Sequence, residues 1–152
     1  MNPADYTKLT TYQAGVMQAS VHRALQKYSD SVLQPYGISK AQWLIIGTIL
    51  DQGKSGIRIS ELAIKVGTTM SYLTNTINLL VSKKVLLRDV SDDDNRAKFI
   101  TVDPVFQLKC EKIEQALRNE LRKLVYSKIS VDDFRTYMKV LHQLSDIDQL
   151  SL

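Results

Sequence analysis

One segment of this 152-residue chain resists a helical reading and constrains the rest. Val85-Leu86-Leu87-Arg88-Asp89-Val90 and Phe99-Ile100-Thr101-Val102 are apolar runs rich in Val, Leu and β-branched residues, the composition of strands. Between them, Ser91-Asp92-Asp93-Asp94-Asn95-Arg96-Ala97-Lys98 supplies turn chemistry through its aspartates and Asn95. The stretch predicts a hairpin with Arg96 and Lys98 near its tip. Charges there add nothing to stability, but they suit a phosphate backbone or a minor groove.

Around this hairpin the chain predicts helices. Asn2 and Pro3 have the form of an N-cap with proline at the first helical position, and Asp5 would sit in the electropositive first turn. Met17, Val21, Leu25, Tyr28 and Val32 then recur at three- and four-residue steps until Pro35. After Gly37, Ser39 opens a second helix with Gln42 at the capping-box position ahead of Trp43-Leu44-Ile45-Ile46, and Gln52-Gly53 ends it. A loop from Gly53 to Gly56 leads to a short strand at Ile57-Arg58-Ile59. Ser60 is expected to cap a third helix of about two turns closed by Gly67.

Thr68 and Thr69 are the next caps, for a helix from Met70 to Lys83 whose apolar positions Leu73, Ile77 and Leu80 share one face. At about 100° per residue, Ser71, Asn75, Asn78 and Ser82 fall on the opposite face. Solvent-facing helices favour Glu and Lys, so a row of neutral hydrogen-bonding side chains is unusual for solvation alone. Asparagine can pair bidentately with adenine in a major groove. Beyond the hairpin, Asp103-Pro104 opens a long helix with Phe106, Cys110, Ile113, Leu117, Leu121 and Leu124 in register. Ser130 begins a last helix, with Asp132 and Asp133 in its first turn and an apolar stripe of Phe134, Tyr137, Met138, Leu141 and Leu144. The fold class is therefore mainly α with a small β-wing, a winged helix-turn-helix flanked by long helices.

Composition narrows the function. The single cysteine excludes an internal disulfide framework, and no apolar run approaches the roughly 20 residues of a membrane span. With no signal-peptide profile at Met1-Asn2-Pro3-Ala4-Asp5, a soluble, cytoplasmic protein with no membrane partner is the natural expectation. A net charge of +4 permits nucleic-acid binding without requiring it. No Ser/His/Asp set or phosphate loop points to an enzyme. His22 and His142 lack the spacing of a metal site, and Asp92, Asp93 and Asp94 lack the alternating oxygen ligands of a calcium loop, so neither metal nor cofactor is expected. Cys110, on an apolar helix face with no basic residue expected on that same face, reads as a packing residue rather than a redox sensor.

Several segments resemble the MarR family of winged-helix regulators, and together they span almost the whole chain. Tyr36-Gly37-Ile38-Ser39-Lys40-Ala41-Gln42-Trp43 is similar to the family's entry into its second helix. Ile59-Ser60-Glu61-Leu62-Ala63 resembles the start of its first helix-turn-helix helix, and Ser130-Val131-Asp132-Asp133-Phe134 the opening of its last helix. Asp94-Asn95-Arg96-Ala97-Lys98 resembles the wing signature Asp-x-Arg, in which the arginine reaches the minor groove and the aspartate orients it.

The resemblance implies a homodimer. Residues 1–35 and 104–152 would be dimerisation helices, and 36–103 the winged DNA-binding domain. Thr69, Met70, Ser71, Tyr72, Thr74, Asn75 and Asn78 would contact DNA from the recognition helix, with Asp94, Arg96 and Lys98 contacting it from the wing. Lys54, Arg58, Lys65, Lys83, Lys84 and Arg88 are further phosphate-contact candidates. A small phenolic or anionic effector is implied between the dimer frame and the winged domain.

Some positions depart from the family pattern. Met70 and Asn75 stand where basic residues are common. Lys84 replaces the glycine that commonly follows this helix, so its end is expected to close differently, because a left-handed lysine costs roughly 1 kcal/mol. The leading expectation is a sequence-specific, ligand-responsive repressor acting as a homodimer on a pseudo-palindromic operator. A winged-helix protein-interaction module without specific DNA readout remains the alternative.

Overall fold

The computed structural model describes residues 5–90 and 98–146. The chain divides into two compact units, one running from Ser29 to Leu117 and the other combining the segments on either side. The central unit holds the end of α1 (Thr11–Leu33), α2 (Lys40–Leu50), α3 (Ile59–Val66), α4 (Met70–Ser82) and the first part of α5 (Pro104–Leu124). It also holds a three-stranded antiparallel sheet of β1 (Ile57–Arg58), β2 (Leu86–Val90) and β3 (Lys98–Val102). The strand order is β1-β3-β2, so β3 lies in the middle.

Strand alternation gives this sheet one inner face. Leu86 opposes Val102, Arg88 opposes Ile100, and Ile57 opposes Ile100 from the other side. Ile57, Leu86 and Ile100 are fully enclosed, and they join Leu33, Ile45, Ile46, Ile49, Leu62, Leu73, Ile77 and Leu80 in one core. Phe106, Cys110, Ile113 and Leu117 extend that core along α5, as their spacing predicted. Gly56 is required where β1 meets β3. Its φ is +69°, and a Cβ there would stand 2.9 Å from both the Ile100 carbonyl oxygen and Thr101 Cγ2.

Local capping explains most helix starts. Ser39 Oγ accepts from Gln42 N while Gln42 Oε1 accepts from Ser39 N, closing the expected capping box. Asp103 Oδ1 accepts from Val105 N at 2.8 Å and opens α5, and Ser130 Oγ accepts from Asp133 N at 3.0 Å and opens α6 (Val131–Ser145). Asp30 accepts from Lys40 N at 2.6 Å, which binds the start of α2 to the last turns of α1.

Three starts differ from expectation. Asn2 and Pro3 lie outside the described residues, and α1 begins at Thr11. There Gln13 Oε1 accepts from Thr10 N at 2.9 Å and Thr10 Oγ1 accepts from Gln13 N at 3.3 Å, a reciprocal cap that satisfies two backbone amides. Asp5 instead precedes a separate turn at Tyr6–Lys8, pairing with Lys8 and accepting from Thr7. Ser60 does not cap α3. Ile57 and Arg58 are held by pairing with Ile100 and Phe99, so the chain passes from strand directly into helix, with Arg58 in the cap position and Ser60 inside the first turn. Thr69 alone caps α4, accepting from Tyr72 N at 3.2 Å, because the Thr68 amide closes α3 by donating to the Ala63 carbonyl.

The end of α4 also corrects the sequence reading. Val85 N donates to the Leu80 carbonyl at 2.9 Å and Lys84 N to the Val81 carbonyl at 3.0 Å, the paired bonds of a Schellman closure. Lys84 occupies its left-handed position with φ 59°, so the helix ends as a glycine would end it. The pair of backbone bonds outweighs the steric cost of the Cβ.

In the other unit, Tyr126 packs edge-on against Phe134 at 4.7 Å between ring centroids and lies 6.4 Å from Tyr137. Burial, and secondarily Tyr137, push the Tyr126 phenol above its ordinary pKa. Farther along α6, Met138, Leu141 and Leu144 stay exposed, as do Val16, Met17 and Val21 on α1. Among the described residues, no helix is long and apolar enough to cross a membrane.

Candidate nucleic-acid interface

Helices α3 and α4 pack against each other across the turn Gly67-Thr68-Thr69, and α4 also packs on β2. This is a helix-turn-helix with a sheet beside its second helix. Leu73, Thr76, Ile77 and Leu80 are the buried side of α4. Thr76 is buried at no polar cost, because its hydroxyl donates to the Tyr72 carbonyl at 2.9 Å.

The other side of α4 is open. Thr69, Met70, Ser71, Tyr72, Thr74, Asn75 and Asn78 are all exposed, so every recognition-helix candidate named from sequence lies at the surface. From Met70 to Ser82 the helix carries no charged residue. What it offers is two amides, several hydroxyls, the Tyr72 ring and the Met70 thioether, together with an N-terminus whose amides carry partial positive charge.

One of these groups is already engaged. Arg88 Nη2 donates to Asn78 Oδ1 at 2.5 Å, joining β2 to α4. Arg88 lies on the inner side of the sheet, in line with Leu86, and its Nε is enclosed without an acceptor among the described residues. Residue type alone makes it a phosphate-contact candidate. The period of the strand was the available indication that it faces inward.

The remaining basic candidates divide by environment. Lys83 Nζ donates to the Gly37 carbonyl at 3.0 Å, tying the end of α4 to the turn before α2. Arg58 stacks 5.4 Å over the Phe99 ring on the outer side of the sheet. Lys54, Lys65 and Lys84 are exposed. Of the wing candidates, Lys98 is the first residue of β3, while Asp94 and Arg96 lie outside the described residues.

Cys110 is buried, its Sγ lies 3.7 Å from the Phe106 carbonyl oxygen, and burial raises its thiol pKa, which disfavours the reactive thiolate. Among the described residues, no group of three His, Cys, Asp or Glu side chains could hold a metal ion.

The chain matches no protein-family model. It is 22% identical, over 84% of its length and 87% of the relative's, to an uncharacterized HTH-type transcriptional regulator of Staphylococcus aureus. Among solved structures it is similar to a cysteine-to-serine mutant of Escherichia coli MarR complexed with operator DNA, with a TM-score of 0.76 and 21% identity, covering 86% of this chain and 91% of that one. It is also similar to a Staphylococcus aureus MepR–DNA complex (TM-score 0.74, 17% identity, 91% and 98% covered). A third likeness is to AbsC, a MarR family transcriptional regulator from Streptomyces coelicolor (TM-score 0.74, 20% identity, 91% and 95% covered). With its capped α4, the helix-turn-helix before it and the three-stranded sheet beside it, this chain has the winged helix-turn-helix fold of the MarR-family regulators.

Proposed function

We propose that the protein is a MarR-family transcriptional regulator that binds duplex DNA sequence-specifically as a homodimer, with α4 in the major groove and the wing against the backbone or minor groove. The observation that carries this reading is the exposed, uncharged, hydrogen-bonding face of α4, at the second helix of a helix-turn-helix. A face of Ser71, Tyr72, Thr74 and Asn75 suits donor and acceptor patterns on base edges. Two of the similar structures are DNA complexes, which supports the same reading. Phosphate neutralisation then falls to residues around the helix, with Lys54, Lys65, Lys84 and the wing residues Arg96 and Lys98 as candidates. Asp94 is assigned the orientation of Arg96.

The remaining parts of the proposal rest on the family resemblance. The protein represses by occupying a pseudo-palindromic operator in the cytoplasm, and it acts by binding rather than catalysis. A small phenolic or anionic effector shifts its DNA affinity, and DNA shifts effector affinity by the same factor.

Electrophoretic mobility titrations with duplexes from the gene's own upstream region, against random duplex over a salt series, test the central claim. Binding to one upstream duplex should be at least about 1,000-fold tighter than to random DNA at physiological salt, with affinity for both falling as salt rises. Equal affinity for upstream and random DNA at every salt concentration would refute sequence-specific regulation.

A further inference from the structure

Arg88 stands at an unusual place for a surface cation. Its strand neighbours on the same face are Leu86 and, across the ladder, Ile100, both fully enclosed. A long charged side chain on that face must find a polar partner or leave donors unsatisfied. The partner is Asn78, on the exposed side of α4.

The chemistry of this bond is one-directional. A guanidinium has five N–H donors and no acceptor, so only the oxygen of the Asn78 carboxamide can face it. The amide is thereby oriented with Oδ1 toward Arg88 and its NH2 left to donate elsewhere. An unconstrained asparagine offers adenine a donor and an acceptor together. One whose oxygen is held by arginine is biased toward pure donation, which matches the keto and ring-nitrogen acceptors of guanine or the keto group of thymine.

We propose that Arg88 is a positioning residue that sets base preference through Asn78, turning that side chain from an adenine reader into a donor directed at base acceptors. This rests on the reading that α4 contacts base edges. It removes Arg88 from the phosphate contacts and makes β2 part of the specificity apparatus.

Selection of bound duplexes from a randomised pool, with wild type, Arg88→Met, Arg88→Lys, Asn78→Ala and the Arg88→Met/Asn78→Ala pair, tests it. Arg88→Met and Asn78→Ala should alter preference at the same base pair, with discrimination there changing roughly tenfold. Arg88→Met should add nothing once Asn78 is gone, and Arg88→Lys, which also only donates, should keep the wild-type preference. A uniform loss of affinity on all sequences, with a shallower salt dependence in both backgrounds, would instead make Arg88 a phosphate ligand and overturn the proposal. The side-chain amide resonances of Asn78 in DNA-free protein give a readout independent of DNA. They should shift on Arg88→Met with the fold intact, and unmoved resonances also overturn it. If wild type selects no motif while the amide resonances do shift, the DNA reading has failed and the contact itself stands.

Discussion

At the scale of single residues, two helix ends in the helix-turn-helix are closed by the same backbone bonds with different residues. Gly67 holds the left-handed position after α3 and Lys84 holds it after α4. Glycine adopts that conformation without penalty, whereas lysine sets its Cβ against the following carbonyl. Replacing Lys84 with glycine should therefore stabilise the protein, by about 0.5–1 kcal/mol once glycine's greater freedom in the unfolded chain is deducted. For a chain of this length that raises the melting temperature by about 2 °C in differential scanning calorimetry. Lys84→Ala retains the Cβ and should show no such gain. Equal stabilisation by alanine and glycine would mean that removal of charge, not relief of the backbone, is responsible. Lys84 is visible in the sequence as a departure from glycine, but the closure it adopts is not. Register is decided by Val85 needing to reach both the Leu80 carbonyl and the strand that follows, and that demand lies outside the helix.

Among the elements, what was legible depended on the distance between partners in the chain. Ser39 with Gln42, Asp103 with Val105, and Ser130 with Asp133 are partners within three residues, and each cap was readable. Thr10 with Gln13 is equally local, but the Asn2-Pro3 pattern competed with it for the start of the same helix. Ser60 was misread because β1 is claimed by β3 some forty residues later. The same limit governs the candidate interface. The polar face of α4 followed from helical period alone, whereas the Arg88–Asn78 bond required the helix and strand to be brought together. If Arg96 contacts DNA as proposed, Arg96→Ala should weaken binding roughly tenfold and reduce the slope of log affinity against log salt by about 1, with the circular dichroism spectrum unchanged. A mobility-shift titration on the operator checks it, and an unaltered affinity and slope would remove the wing tip from the interface.

The proposed dimer is argued from what a single copy leaves uncovered. On α6 the apolar positions Phe134, Tyr137, Met138, Leu141 and Leu144 fall on one helical face. Phe134 and Tyr137 are half-buried beside Tyr126, but Met138, Leu141 and Leu144 are exposed. A run of apolar side chains in water is unfavourable at about 25 cal/mol per Å2, while its burial in a two-fold interface would be favourable and, on the proposed function, would offer two copies of α4 to DNA. The protein should therefore sediment at twice 17.2 kDa at micromolar concentration. Leu141→Glu would place a carboxylate in that interface at a cost of several kcal/mol, raising the dimer dissociation constant at least about 100-fold. Thr136→Glu puts the same charge on the opposite face of α6 and should leave the dimer intact. Analytical ultracentrifugation of the three proteins separates the outcomes. A monomeric wild type, or a Leu141→Glu protein that still sediments as a dimer, would rule out this face as the interface. If the dimer dissociates as expected, Leu141→Glu should also lose tight operator binding, because one copy engages only a half-site.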